Sequence, residues 1–185
     1  MVDERMEELT WRIIAGQTVS LIAFALCVIG FASKSDGRLF RLLISANVAF
    51  ATHFILFESW TAAALTAIIV VRVSLANRFK GSWRMMSALL LVSVIAAALT
   101  WQRPLDALPL TAAVLGTVGM FMLHGIAMRF FLAGAALAWT LNNLAIGSIG
   151  GTLAEALILA TNLVTIVRMS LDGSSTATEP QRKVS

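Results

Sequence analysis

The sequence predicts an all-α integral membrane protein, in which seven transmembrane helices form two parallel three-helix bundles joined by a linker helix. Three observations lead to this fold class: the composition, the spacing of apolar segments and an internal repeat. Of the 185 residues, 58% are hydrophobic and only 13% are charged, whereas soluble domains average about 25% charged residues. The chain therefore has too little polar surface to cover a water-soluble particle.

Seven apolar segments follow one another along the chain, separated by short connections. Each is near the length of about 17–25 residues that crosses about 30 Å of hydrocarbon. Because lipid offers the backbone no hydrogen-bond partner, we expect all seven to be helices. The segments cover residues 13–32, 39–57, 61–77, 85–101, 107–123, 130–147 and 151–169.

Both ends of the chain are polar. Residues 1–12 begin MVDERMEEL, which is acidic, unlike the basic start of a signal peptide. The first apolar segment is therefore expected to remain as a membrane helix behind a short outer segment. Residues 170–185 are polar and are predicted to be a disordered cytoplasmic tail.

An internal repeat relates residues 37–78 to residues 125–168. Each stretch has a basic start, a helix, a tight turn, a helix rich in small residues and a closing arginine, and Arg41 aligns with Arg129. A single helix between the two triplets gives both the same orientation, as in a parallel repeat. The predicted organisation is a first repeat at 13–80, a linker helix at 81–103 and a second repeat at 104–169.

Basic residues concentrate on one side of the predicted bundle. Because cytoplasmic loops carry an excess of Lys and Arg, we expect the N-terminus outside and the C-terminus in the cytoplasm. The sequence pI is 10.2, but these charges lie in short loops, so no nucleic-acid partner is expected. The cytoplasmic group is Lys34, Arg38, Arg41, Arg78, Lys80, Arg84, Arg129, Arg168, Arg182 and Lys183, and the outer group is Arg5, Arg12 and Arg103.

Catalytic signatures are missing from the sequence. It has no nucleophile–base pair, phosphate-binding loop or Cys/His cluster, and the lone Cys27 lies in an apolar run. We therefore expect no enzymatic activity, no cofactor and no metal site. The lipid bilayer is the partner that the composition implies, while a small polar solute and a second copy of the chain are left open.

The last apolar segment carries a polar stripe. At about 100° per residue, Glu155 and Asn162 fall on one side of this helix, and the remaining surface is mainly apolar. Intramembrane acids cost about 2.5–3.5 kcal/mol on insertion scales, so such a stripe favours a protein interior or a pathway. The alternative is that Glu155 merely reaches the outer interface.

Five polar side chains are predicted to share one depth, the outer third of the bilayer. Donors, acceptors and one acid at the same level could coordinate a polar solute or relay a proton. The alternative is that this region is already partly wet, and that the histidine is structural. The five residues are Gln17, His53, Asn142, Asn143 and Glu155.

Arg72 lies within the third segment and allows two interpretations. It is six residues from Arg78, about 9 Å along a helix, so the favoured interpretation is that it snorkels to the cytoplasmic surface. The repeat alignment instead places it opposite Asn162. A hydrogen bond between Arg72 and Asn162 would then form an inner gate, with Glu155 about 10 Å further out.

The motifs GQTVSLIAFALCVIGFASKSDGR and WTLNNLAIGSIGGTLAE carry a resemblance over residues 16–168. The chain resembles the PQ-loop, or MtN3/SWEET, superfamily of seven-helix carriers, and more closely the bacterial inner-membrane family called YgjV. The resemblance implies the 3+1+3 arrangement and an inner-membrane location. It also makes Trp139 similar to the tryptophan below the sugar of SWEET-type carriers, and Asn162 to their asparagine. The Pro-Gln pair that names the superfamily is missing here.

The predicted function is a carrier or facilitator for small polar solutes, with Glu155 providing proton coupling. The competing prediction is a non-transporting membrane scaffold or accessory subunit, whose polar residues only hold helices together. A carrier requires a continuous polar lining, whereas a scaffold predicts a dry and closed interior. Because fold analogy does not establish function, the geometry of the polar residues decides between these predictions.

Overall fold

A computed structural model describes residues 2–33 and 36–177, and this part of the chain consists of helices and short turns without a strand. The predicted all-helical architecture is therefore confirmed. Seven α-helices follow one another, with a short 3-10 turn at Pro104–Asp106 before the fifth. They are α1 (Val2–Ala32), α2 (Asp36–Leu56), α3 (Trp60–Arg78), α4 (Trp83–Thr100), α5 (Ala107–Met122), α6 (Gly125–Ile146) and α7 (Ile149–Ala177).

Within the described residues, six of these helices are long and apolar enough to cross a membrane. The remaining one, α3, is a shorter apolar helix over Trp60–Ala76. Large apolar side chains point away from the bundle; Leu91, Leu99 and Val164, for example, are exposed. An apolar outer surface of this kind is suited to lipid.

The first and last helices are longer than the apolar segments that predicted them. Helix α1 already begins at Val2, and α7 continues to Ala177, so the predicted tail is helical over 170–177. Residues 178–185 of that tail lie outside the described residues. Within this extension, the side chain of Ser170 also donates from Oγ to Ile166 O at 2.9 Å.

Six helices form a ring around a central space. Around the ring, each helix packs against the next in the order α1, α2, α3, α5, α6, α7, and α7 closes the ring by packing against α1. Helix α4 lies outside this ring, where it packs against α3 and α5. The side chain of Thr61 in α3 fastens α4 in place by donating to Thr100 O at 2.8 Å.

Small residues let the helices of the ring approach closely. Ala23, Ala46, Ala62 and Ala112 are completely or almost completely buried, on α1, α2, α3 and α5 respectively. A close backbone approach joins α1 and α7, where a side chain on Gly150 would overlap the backbone of Ser20. In lipid, such close packing replaces the hydrophobic effect as the force that holds helices together.

This contact predicts that Gly150→Ala destabilises the bundle by about 1–3 kcal/mol, because the added methyl group must push α1 and α7 apart. The measurement is thermal unfolding of purified protein in detergent. Gly37→Ala is the matched control, since a methyl group on Gly37 meets no atom of the described residues within 4 Å. Equal unfolding temperatures for the two variants would contradict the close α1–α7 contact.

Candidate functional site

A cavity of about 340 Å³ occupies the central space of the ring. Its wall is built by α2, α3, α5, α6 and α7, and most of it is apolar. Its size falls in the range of about 300–1,000 Å³ that is usual for small-molecule sites. The polar part of the wall consists of Asn47, Arg72, Arg129, Trp139, Glu155, Thr161 and Asn162.

Arg72 is buried against α5, with 8% of its surface exposed. Its Nη1 donates to Ala113 O at 3.3 Å, while Nε is buried without a partner. The guanidinium lies on Gly116, where an added methyl carbon would lie only 2.7 Å from Nη1. The favoured interpretation from sequence, an arginine that snorkels to the surface, is therefore wrong.

Asn162 has a different partner from the one predicted. Its Oδ1 accepts a hydrogen bond from Arg129 Nη1 at 3.4 Å, and its Nδ2 donates to Ile158 O at 2.9 Å. Among the described residues, no hydrogen bond joins Asn162 to Arg72, although both line the cavity. In place of the predicted Arg72–Asn162 bond, Asn162 bonds Arg129, while Arg72 bonds Ala113 O.

Glu155 lines the main cavity and also a smaller adjoining one of about 20 Å³. It is near enough to Arg72 for the two charges to attract each other, but the described part of the structure contains no direct ion pair between them. Seven residues separate Glu155 from Asn162 on α7, about 10 Å along the helix. The acid and the Arg129–Asn162 pair therefore occupy different ends of the site.

Trp139 belongs both to the cavity wall and to the apolar core of the ring. Its ring stacks on Phe54, with centroids 5.6 Å apart and an interplanar angle of 22°. Asn143 lies one turn further along α6, donates to Trp139 O at 2.9 Å and lines the smaller cavity. The stacking on Phe54 holds the indole beside the space in which a solute would lie.

Residues 14–172 match the Imp-YgjV family, which is described as a family of bacterial inner membrane proteins. The chain belongs to this family. It is 27% identical over 152 residues to the inner membrane protein YgjV of Escherichia coli (strain K12), and the match covers 82% of each chain. No solved structure matches the chain. Membership confirms the predicted family and supports the predicted inner-membrane location.

In this Imp-YgjV member, Gln17 lies outside the cavity and joins α1 to the α6–α7 turn. Its Nε2 donates to Gly147 O at 2.6 Å, and its Oε1 accepts from Ile149 N at 3.0 Å. Gly147 adopts a φ of 76°, a left-handed conformation that glycine accepts without strain. One carboxamide therefore satisfies both a donor and an acceptor that the turn leaves free.

His53 and Asn142 also lie outside the cavity. His53 is fully buried, and its Nδ1 is 2.9 Å from Gly16 O; because a carbonyl only accepts, this nitrogen carries the hydrogen. Its ring packs beside Phe57, with centroids 4.5 Å apart. Asn142 is buried and its Nδ2 has no partner. Of the five residues predicted to share one layer, only Glu155 lines the main cavity.

Sequence reasoning missed three polar residues of the wall: Asn47, Arg129 and Thr161. Arg129 was assigned to a cytoplasmic loop, but it lies one turn inside α6, which begins at Gly125. Asn47 could have been identified from the sequence, because a carboxamide within a predicted membrane segment is unusual. Its Nδ2 donates to Leu43 O at 2.8 Å, which leaves its oxygen for other partners.

Gln17→Leu is predicted to lower the stability of the bundle by about 1 kcal/mol, because the α6–α7 turn loses two contacts with α1. Thr18→Val is the matched control, since the Thr18 hydroxyl donates to Ile14 O within its own helix. Thermal unfolding in the same detergent compares the two variants. A Gln17→Leu variant as stable as Thr18→Val would show that the turn does not need this contact.

Proposed function

We propose that this protein is a carrier or facilitator for small polar solutes in the bacterial inner membrane, and that the central cavity is its binding site. The observation that carries the proposal is the combination of Arg72, Arg129 and Glu155 in the wall of one cavity inside the ring. Charged groups at membrane depth are costly and commonly mark pathways for solutes or ions.

Packing alone does not account for this arrangement. Interiors that serve only stability are filled to the density of organic crystals and contain few spaces larger than a water molecule. Here about 340 Å³ is left open next to a guanidinium whose Nε has no partner. An open and charged interior is what a solute site requires, and it disfavours the dry interior expected of a scaffold.

The contacts between helices support the proposed 3+1+3 organisation. Helix α2 packs against α1 and α3, and α6 packs in the same way against α5 and α7. The contact of α3 with α5 corresponds to that of α7 with α1, while α4 lies outside the ring. On this proposal the cavity lies between two equivalent three-helix units, as the resemblance to SWEET-like carriers implies.

One observation favours the scaffold alternative. Gln17 and His53 Nδ1 bond backbone groups of neighbouring helices or turns, which is how polar residues hold a membrane bundle together. These two contacts lie outside the cavity, however, so they leave its charged wall unexplained. We therefore keep the carrier as the proposed function and treat a scaffold as the outcome of a negative transport experiment.

The proposal predicts uptake by purified protein in liposomes, screened over small sugars, amino acids, carboxylates and polyols with and without an inward proton gradient. Wild-type protein should transport at least one class, and the gradient should stimulate that transport. Glu155→Gln should lose this stimulation, because Glu155 is the acid of the described cavity wall. Arg168→Gln, which changes an exposed residue outside the wall, should behave as wild type.

If neither wild type nor Glu155→Gln transports a solute of any class, the result would contradict the carrier and favour the scaffold. Transport that the gradient stimulates equally in wild type and Glu155→Gln would keep the carrier but remove the role of Glu155.

The proposed topology counts α3 as a membrane span, which gives seven spans in all. With the N-terminus outside, the α3–α4 connection then lies in the cytoplasm and the α4–α5 connection lies outside. Single cysteines at Gln102→Cys and Lys80→Cys, in a Cys27→Ala background, test this with an impermeant maleimide on intact spheroplasts. Gln102→Cys should be labelled, and Lys80→Cys should be labelled only after permeabilisation. The reverse pattern would contradict the proposed orientation.

A further inference from the structure

We propose that the cavity binds a small organic anion, with a carboxylate held by Arg72 and Arg129 and a short apolar body beside Trp139. This inference rests on the proposed function, because it names the substrate class of the same site. It follows from the charge of the cavity wall, the unused hydrogen-bond donors and the large apolar share of the wall.

The cavity wall is electropositive in either protonation state of its acid. Two arginines and one glutamate line it, so the wall carries a net charge of +1 with Glu155 ionised and +2 with Glu155 protonated. An anion lowers this excess charge, whereas a cation raises it. In a membrane interior, where charges are screened far less than in water, this difference decides which solute enters.

The arginines also have free donors. A guanidinium offers five N–H groups in a planar fork that matches the two oxygens of a carboxylate. In the structure, Arg72 uses Nη1 for a bond of 3.3 Å to Ala113 O and leaves Nε without a partner. Arg129 uses Nη1 for a bond of 3.4 Å to Asn162. Both bonds are long, so a bound carboxylate would gain strong hydrogen bonds at little cost.

The wall combines a few charged groups with a large apolar part. Asn162, with Arg129 bonded to it, lies about 10 Å along α7 from Glu155. Leu43, Ile69 and Trp139 supply apolar wall. A solute with one anionic end and a short apolar or weakly polar body therefore fits better than a polyol, which needs hydrogen bonds along its whole length.

Glu155 acts in this account as the resident counter-charge of the empty cavity. It is near enough to Arg72 for electrostatic attraction without a direct ion pair, so an entering carboxylate competes with it for the same guanidinium. Removing the charge at Glu155 should strengthen anion binding, whereas removing either arginine should weaken it. A purely structural role for Glu155 predicts no such gain.

The test measures binding of matched probes by isothermal titration calorimetry on the full chain in lipid nanodiscs. Benzoate is compared with benzamide and benzylamine, L-lactate with lactamide, and inorganic phosphate is a further arm. We expect the carboxylates to bind at least about tenfold more tightly than their amides, with no binding of benzylamine. Weaker binding of phosphate than of the carboxylates is expected, because phosphate lacks the apolar body.

The variants separate charge from folding. Arg72→Gln and Arg129→Gln should each weaken carboxylate binding about tenfold, Glu155→Gln should strengthen it, and Arg168→Gln should leave it unchanged. Gly116→Ala keeps every charge but displaces the Arg72 guanidinium from its seat on α5, so it should weaken binding as well. Circular dichroism establishes that each variant is folded.

Four results with wild-type protein would overturn the proposal. They are equal binding of amides and carboxylates, preference for benzylamine, tighter binding of phosphate than of the carboxylates, and no binding of any probe. Unchanged carboxylate affinity in folded Arg72→Gln and Arg129→Gln would also overturn it. Uptake of a neutral solute in liposomes without carboxylate binding would keep the carrier function and reject the anion. Carboxylate binding without uptake of any solute would keep the anion site and reject the carrier.

Discussion

The burial of Arg72 is the constraint on which the interior of this protein depends. A guanidinium at membrane depth costs about 2.5–3.5 kcal/mol on insertion scales unless protein or water surrounds it. The structure meets this requirement by seating Arg72 on Gly116 and placing it beside a cavity that also contains Glu155 and Arg129. The ring of six helices, with α4 outside it, creates the space in which these charges can face one another instead of lipid.

Polar residues serve two separate purposes in the bundle. Gln17 and His53 Nδ1 complete backbone hydrogen bonding between neighbouring helices and turns, outside the central cavity. Arg72, Glu155 and Asn162 instead point into the central space. Depth in the membrane alone could not distinguish the two groups, because both kinds of residue lie within apolar segments. The direction of each side chain around its helix separates them.

Much of the fold could be predicted from the sequence, because segment length and hydropathy determine where membrane helices form. The convergence of Glu155, Asn162 and Trp139 was also accessible, through helical periodicity and resemblance. The partner of Asn162 was not, because it depends on where α6 begins and therefore on how far Arg129 reaches into the bundle. The burial of Arg72 could not be predicted either, since it requires the absence of a side chain at Gly116 on another helix.

Cysteine reactivity shows whether the cavity inside the ring is accessible to water and electropositive. In a Cys27→Ala background, Ile158→Cys places a thiol on the cavity wall, and Val164→Cys places one on the exposed outer surface of the same helix. We expect small methanethiosulfonate reagents to modify Ile158→Cys but not the lipid-facing Val164→Cys. An anionic reagent should react faster than a cationic one. If neither thiol reacts, the cavity is not accessible to water. If the cationic reagent reacts faster at Ile158→Cys, the cavity is not electropositive.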